Sequence, residues 1–466
     1  MPLVGQALFL LAWAAIGVGD SLEDGAFSVP SLVWVSASAV LMVAALLSRA
    51  DWSWTVPVAM TVCMATACYQ ALRLPAEIYG SGVPLTVSRQ LWLAAGGAAL
   101  ILMLMGRRRP APLSCFVIVA SLAVAADLVG IEASPRPRID VWFMLQAAAT
   151  ALAHGHNFYL TPWTSGIAGE VSNRFVYLPL SGVVLGPFEW LFGDVRFGLV
   201  ALSVVCAVAV YRLVGDELRW ALASLILIFP KSTFAIEQSW NDVGLTALVA
   251  LTILAVRRGR MGWAVTALAV AVAYKQYAWL ALPAAAGWKS FGWRRAAAAT
   301  VGGAVLCLPW ALSAPRAFWE GVISYNLHLL ARPDSLSWSS FFLWHGRTPG
   351  YALIVAGTAA GLSLGLAGLR EHRLGLAGAV GMTLVGFDVA GKQTFFNEWE
   401  LLAGLLVLAV AESRAQSEPL SPASAAMAVT TASKILAVSL SMWRRAARRK
   451  TAPTMVSGMR MEKATR

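Results

Sequence analysis

The chain reads as an all-α, multi-pass membrane protein of about 13 or 14 helices, counted against a spanning length of about 20 residues. Three observations carry this reading. Hydrophobic residues fill 58% of the 466 positions and charged ones only 13%, against about 25% charged in soluble domains. The mean hydropathy is +0.67. Basic residues gather in short clusters between apolar runs, so the net charge of +12 reports topology first. Nucleic acid is therefore not an expected partner. The cysteines all lie inside apolar runs with no CxxC or His-rich spacing, which predicts neither disulfides nor metal ligands.

Taken in order, residues 1–133 carry the N-terminal transmembrane helices, near Leu3–Val18, Pro30–Leu47, Trp54–Leu72, Leu91–Met105 and Leu113–Val129. The first has no basic leader or small-residue cleavage site and is read as retained. Acidic Asp20, Glu23 and Asp24 follow it, and Arg107, Arg108 and Arg109 follow the fourth. With basic residues held inside, the N-terminus is cytoplasmic and the fifth helix exits outward.

Residues 134–195 then form a first long external loop. Val141–Ala153 is too short to span, and Gln146, Thr150 and His154 recur every four residues on one side, so it is expected to lie in the membrane surface. Asp140 stands at its start on the non-cytoplasmic face, where capping the helix is the plain alternative to a chemical role. Leu178–Phe192 holds Pro179, Gly182, Gly186 and Pro187; counted as a span it would throw every later basic cluster outside. It is expected to stay on the outer side as a re-entrant element.

Residues 196–411 are the C-terminal transmembrane bundle. Phe197–Leu213 runs inward, Trp220–Phe229 outward, Lys231–Asp242 forms an outer loop, and Val243–Val256 returns to the Arg257–Arg260 cluster. Two short helices, Met261–Tyr274 and Tyr277–Trp288, meet at Lys275-Gln276, where a lysine at membrane depth must face water, protein or an anion. Ala296–Ser313 leads to a second external loop at 315–348, Tyr351–Leu369 comes back, and Leu374–Val389 and Leu401–Val410 are joined outside by Gly391–Glu400. Residues 412–466 are a basic cytoplasmic tail with a weak apolar run at Ala425–Trp443.

No GxxxxGK[ST] or GxGxxG loop occurs, so nucleotide binding by those means is excluded. Outer-face chemistry without nucleotide needs another activated donor, and a lipid phosphate in the bilayer supplies one. The motifs agree. An acidic residue after an outward-going helix (Asp140), a glycine-x-asparagine-x-tyrosine element (Gly155, Asn157, Tyr159) and an aromatic-x-proline-leucine turn (Tyr177, Pro179, Leu180) resemble the GT-C membrane glycosyltransferases. Lys275-Gln276 and the RPDS element at Arg332–Ser335 are similar to glycosyltransferase family 87, the polyprenol-phosphate-mannose-dependent mannosyltransferases. The likeness runs from about Pro137 to Ala411. It departs at Asn157–Tyr159 and Tyr177–Pro179, which read NFY and YLP where the family has NPY and YPP, and in the helices that precede Asp140.

The resemblance implies a GT-C-like bundle with outer-face interfacial helices and loops. It also implies transfer of a hexose, mannose first, from a polyprenyl-phosphate donor to a lipid-linked or glycan acceptor, in the cell (inner) membrane with both termini cytoplasmic. Membrane lipid is the other expected partner. Such transfer needs a base for the acceptor hydroxyl and cations beside the departing phosphate. Asp140 is the candidate base; Lys275, Arg332 and Lys392 are the candidate phosphate contacts. Substrate-binding candidates are His154, Asn157, Tyr159, Tyr177, Glu237, Gln238, Asn241, Gln276, His328 and Asp334. No cofactor or metal ligand is implied, and assistance by a divalent cation stays open.

Each candidate has a bland competitor. Lys275 can pair with Glu237 or Asp242, Arg332 with Asp334, and the histidines with loop backbone. A secondary transporter, a non-catalytic GT-C-like scaffold and a ligase moving a whole glycan remain as rival classes. The transporter is disfavoured by the lack of an inverted repeat of broken helices.

Overall fold

Helices follow the apolar runs and stop where glycine, proline or a buried charge interrupts them. The computed structural model describes residues 1–73, 79–164 and 173–415. They form α1 (Leu3–Leu22), α2 (Val29–Leu47), α3 (Thr55–Arg73), α4 (Gly82–Leu104), α5 (Pro112–Ala133), α6 (Asp140–Ala153) and α7 (Pro179–Phe192). Next come α8 (Arg196–Leu213), α9 (Arg219–Leu227), α10 (Ser232–Glu237), α11 (Asp242–Arg257), α12 (Met261–Tyr274), α13 (Ala278–Gly287) and α14 (Trp293–Ser313). The last are α15 (Pro315–Trp319), α16 (Tyr325–Leu327), α17 (Trp338–Trp344), α18 (Tyr351–Arg370), α19 (Leu376–Ala390) and α20 (Phe396–Ala415). The only β pairing among the described residues is one antiparallel bridge, Ala26 with Ser335.

The all-helical membrane class is thus observed, but not the expected span count. Eight of these helices, α1 to α5, α8, α14 and α18, are long and apolar enough to cross a bilayer. The others fall short for visible reasons. A three-residue break at 275–277, extended at Lys275 (φ −149°, ψ 142°), separates α12 from α13. Helix α20 has the length but carries Glu398, Glu400, Glu412 and Arg414.

A second expectation changes. Lys231–Asp242 was expected as an outer loop, yet its residues are almost all buried and include the short α10. Lys231 pairs with Asp24, the Tyr79 amide donates to Glu237 at 2.9 Å, and Gln238 donates to Glu237 at 3.1 Å. Polar side chains that satisfy one another can be buried where an unpaired set could not. The expected tail beyond residue 415, with Ala425–Trp443, lies outside the described residues.

The N-terminal helices are packed into the bundle: α1 lies against α2, α3 and α20, and Trp13 meets Phe229 edge-on at 5.4 Å. The turn between α1 and α2 reaches the α16–α17 connection. Phe27 N–H donates to the Asp334 carbonyl at 2.9 Å. Gly25, at φ +77°, approaches α20 so closely that an added Cβ would stand 2.4 Å from the Phe396 nitrogen. Gly25→Val is therefore expected to destabilise the protein by roughly 3 kcal/mol, from left-handed strain and overpacking together. Gly97→Val on α4, which meets nothing within 4 Å, serves as the control. Thermal melts of the two variants in detergent check this.

Candidate active site

Asp140 is placed by a bracket of buried polar contacts. Arg196 at the start of α8 is fully buried and paired with Asp194 at 2.7 Å. Its guanidinium also donates to the Ser134 hydroxyl at 3.0 Å and the Ser134 carbonyl at 2.8 Å. Two residues past Asp140, the Trp142 indole donates to Asp194 at 3.2 Å. The Tyr79 hydroxyl holds the Arg138 carbonyl at 2.6 Å. Gln146 closes the bracket, taking the Val195 amide at 2.9 Å and donating to the Gly193 carbonyl at 3.2 Å. Ile139 is the N-cap of α6, and Asp140 is its first helical residue.

Asp140 lines a cavity of about 230 Å³ built from segments far apart in the chain. One wall is α6 and the Val176-Tyr177 turn, and its floor is Lys275, Gln276 and Tyr277 at the α12–α13 break. Tyr325 and Asn326 come from α16, Arg332 from the α16–α17 connection, Gln393 and Phe395 from the α19–α20 connection, and Asn397 and Glu398 from the first turn of α20. Gln276 ties two of these together, donating to the Val176 carbonyl at 2.8 Å. Gly321 lets the α15–α16 segment approach, since a Cβ there would lie 2.2 Å from the Phe175 carbonyl oxygen. The stretch that contains it, Glu320–Ser324, is a π-helical turn, a feature frequent at functional sites.

Of the candidate residues, Asp140, Tyr177, Lys275, Gln276 and Arg332 therefore meet in one cavity. Lys275 is buried and already engaged: its ammonium donates to Asp242 at 2.6 Å and Asn241 at 3.1 Å, with the Tyr177 and Tyr277 rings each 5.4 Å away. Asn397 donates to the same Asp242 oxygen at 2.9 Å. Arg332 stacks on Phe395 at 4.8 Å and is paired with Asp334. Burial alone would raise the Asp334 carboxyl, but the hydrogen bond and charge of Arg332 outweigh it and hold that carboxyl below its ordinary value.

The other candidates are not among the cavity-lining residues. Lys392 sits over the Tyr351 ring at 3.3 Å and donates to the Leu329 carbonyl at 3.3 Å. Tyr159 donates to the Tyr177 carbonyl at 2.7 Å, and Asn157 donates to the Ser313 hydroxyl at 2.8 Å, so both brace the wall. His154 and His328 are exposed at helix ends, each ring nitrogen 2.8 Å from a helical carbonyl four residues earlier. Glu237, Gln238 and Asn241 are buried beneath the floor. Residues not singled out from the sequence complete the site, above all Tyr277, Asn397 and Glu398. The capping-box spacing Phe395-x-x-Glu398 was the available signal.

The arrangement offers a carboxylate and a guanidinium facing one small polar space, with a buried ion pair below. That suits proton removal beside a developing anion. No curated protein and no solved structure matches the chain. A family model described as Glycosyltransferase family 87 matches residues 175–389, a stretch that holds Lys275, Gln276, Arg332 and the Tyr177 turn of the cavity but leaves Asp140 and the Gly155, Asn157 and Tyr159 element outside it. Over that stretch, a little under half of its length, the chain is similar to family 87, and with its eight helices long and apolar enough to cross a bilayer this is consistent with a membrane glycosyltransferase of the GT-C type.

Proposed function

We propose that the protein transfers a hexose, mannose first, from a polyprenyl-phosphate donor to a lipid-linked or polymeric acceptor on the non-cytoplasmic face, with inversion. The observation that carries this reading is the shared cavity of Asp140, Lys275, Gln276, Tyr177 and Arg332. The acceptor oxygen attacks the anomeric carbon, its proton passes to Asp140, and the bond from that carbon to the phosphate oxygen breaks. The lipid phosphate leaves with the electron pair. Arg332, beside the cavity mouth, stabilises the charge gained by the phosphate. Lys275 acts from the floor, where Asp242 already balances part of its charge; Lys392 contributes only if the α19–α20 connection turns inward.

The experiment is to incubate membranes holding the protein with labelled polyprenyl-phosphate mannose and polyprenyl-phosphate glucose and to follow label into lipid and polymer fractions. Transfer from one of these supports the reading, and none from either removes it. The orientation has its own check. A cysteine at exposed Thr164 is expected to react with an impermeant reagent on intact cells, and one at exposed Arg260 is not.

A further inference from the structure

We propose that Glu398 reads adjacent hydroxyls of a pyranose ring held in the cavity, a role that rests on the sugar-transfer reading of the site. Glu398 enters the cavity from α20, across from Asp140 on α6. Its carboxylate is 92% buried by complement of its 8% exposure, and it is held rigid. One oxygen takes the Tyr277 hydroxyl at 3.0 Å and the other the Phe395 amide at 2.9 Å. A carboxylate has about four acceptor positions. Two are used here by protein, leaving the rest for donors in the cavity. Two oxygens of one carboxylate match two neighbouring hydroxyls as they match the fork of a guanidinium, and such charge-assisted bonds are the strong ones.

The division of labour follows from position. Asp140 starts a helix tied by the Arg196–Asp194 bracket. Glu398 is fixed by a tyrosine hydroxyl and a backbone amide, a setting suited to holding a ring still. The neighbouring Asn397 spends an amide N–H on Asp242, and the Glu398 carboxylate is the charged acceptor among the cavity-lining residues of this wall.

Glu398→Gln is the informative variant, because a glutamine at this third helical position still caps the Phe395 amide. The full-length protein in lipid nanodiscs is examined by saturation-transfer NMR with methyl pyranosides of mannose, glucose and galactose and their monodeoxy forms. The native protein is expected to bind at least one pyranoside and to lose about tenfold in affinity when either of two adjacent hydroxyls is removed. In Glu398→Gln the parent sugar binds about tenfold more weakly and the two deoxy penalties vanish. Tyr277→Phe, which frees one carboxylate oxygen without removing it, gives an intermediate loss and guards against a folding defect in the first variant. Absence of pyranoside binding by the native protein, or deoxy penalties unchanged in Glu398→Gln, overturns the proposal. Deoxy donors and deoxy acceptors in the transfer assay show which ring is read. Glu398-dependent sugar binding without transfer from polyprenyl-phosphate donors would instead remove the donor assignment and leave this one standing.

Discussion

Asp140→Asn should leave the protein folded in the membrane and lower sugar transfer by about a hundredfold to ten-thousandfold, the range supplied by a positioned general base. The amide has the carboxylate's shape but cannot accept the proton. Loss of charge in the first turn of α6 weakens a favourable dipole interaction by only about 0.3–1 kcal/mol. Stability and activity therefore separate. The expected kinetic signature is a fall in kcat with the donor KM nearly unchanged, as for an interaction made only in the transition state. Asp334→Asn is the matched comparison. Its carboxylate is half exposed and paired with Arg332 in the outer loop, and such surface pairs are worth about 0–1 kcal/mol, so a change of severalfold at most is expected. Wild-type turnover in Asp140→Asn would end the assignment of the base.

What could be read from the residue string was whatever depends on local pattern. The apolar runs mark α1, α2, α3, α5, α8, α14 and α18 to within a few residues at most ends, and the four-residue recurrence of Gln146, Thr150 and His154 marks α6, which spans Asp140–Ala153. The break at Lys275 is legible too, because a lysine there needs an unusual setting. Hydropathy misjudges segments whose polar groups satisfy one another. KSTFAIEQSWND has the composition of a loop, yet the partners that let it be buried include Asp24 and the Tyr79 amide, over 150 residues away. Glu398 stayed hidden for the same reason, its tyrosine partner being 121 positions distant. The N-terminal helices gave no sign of function in sequence. In the fold their first turn supports the connection that carries Phe395, Asn397 and Glu398, through the contact of Gly25 with Phe396.

Asp242→Ala should destabilise the protein by about 3–5 kcal/mol, since removing one partner of a buried pair leaves the other uncompensated. Lys275 is 5% exposed and Asp242 fully buried, and the carboxylate also holds Asn397 from α20, so three helices lose a common tie. Lys275→Ala should cost a similar amount by stranding Asp242. Neither single variant can then distinguish a lysine kept for packing from one kept for a phosphate. The double variant Asp242→Leu with Lys275→Met can, because replacing both partners of a buried pair by apolar groups is often neutral or stabilising. Its melting temperature is expected to recover most of the single-variant loss, short of the native value because the Asn397 amide still lacks its acceptor. The donor KM is expected to stay about tenfold high, the scale of one lost charge-assisted hydrogen bond to phosphate, while the acceptor KM recovers. Recovery of donor and acceptor KM together would assign Lys275 to the architecture of the floor and leave the departing phosphate to Arg332.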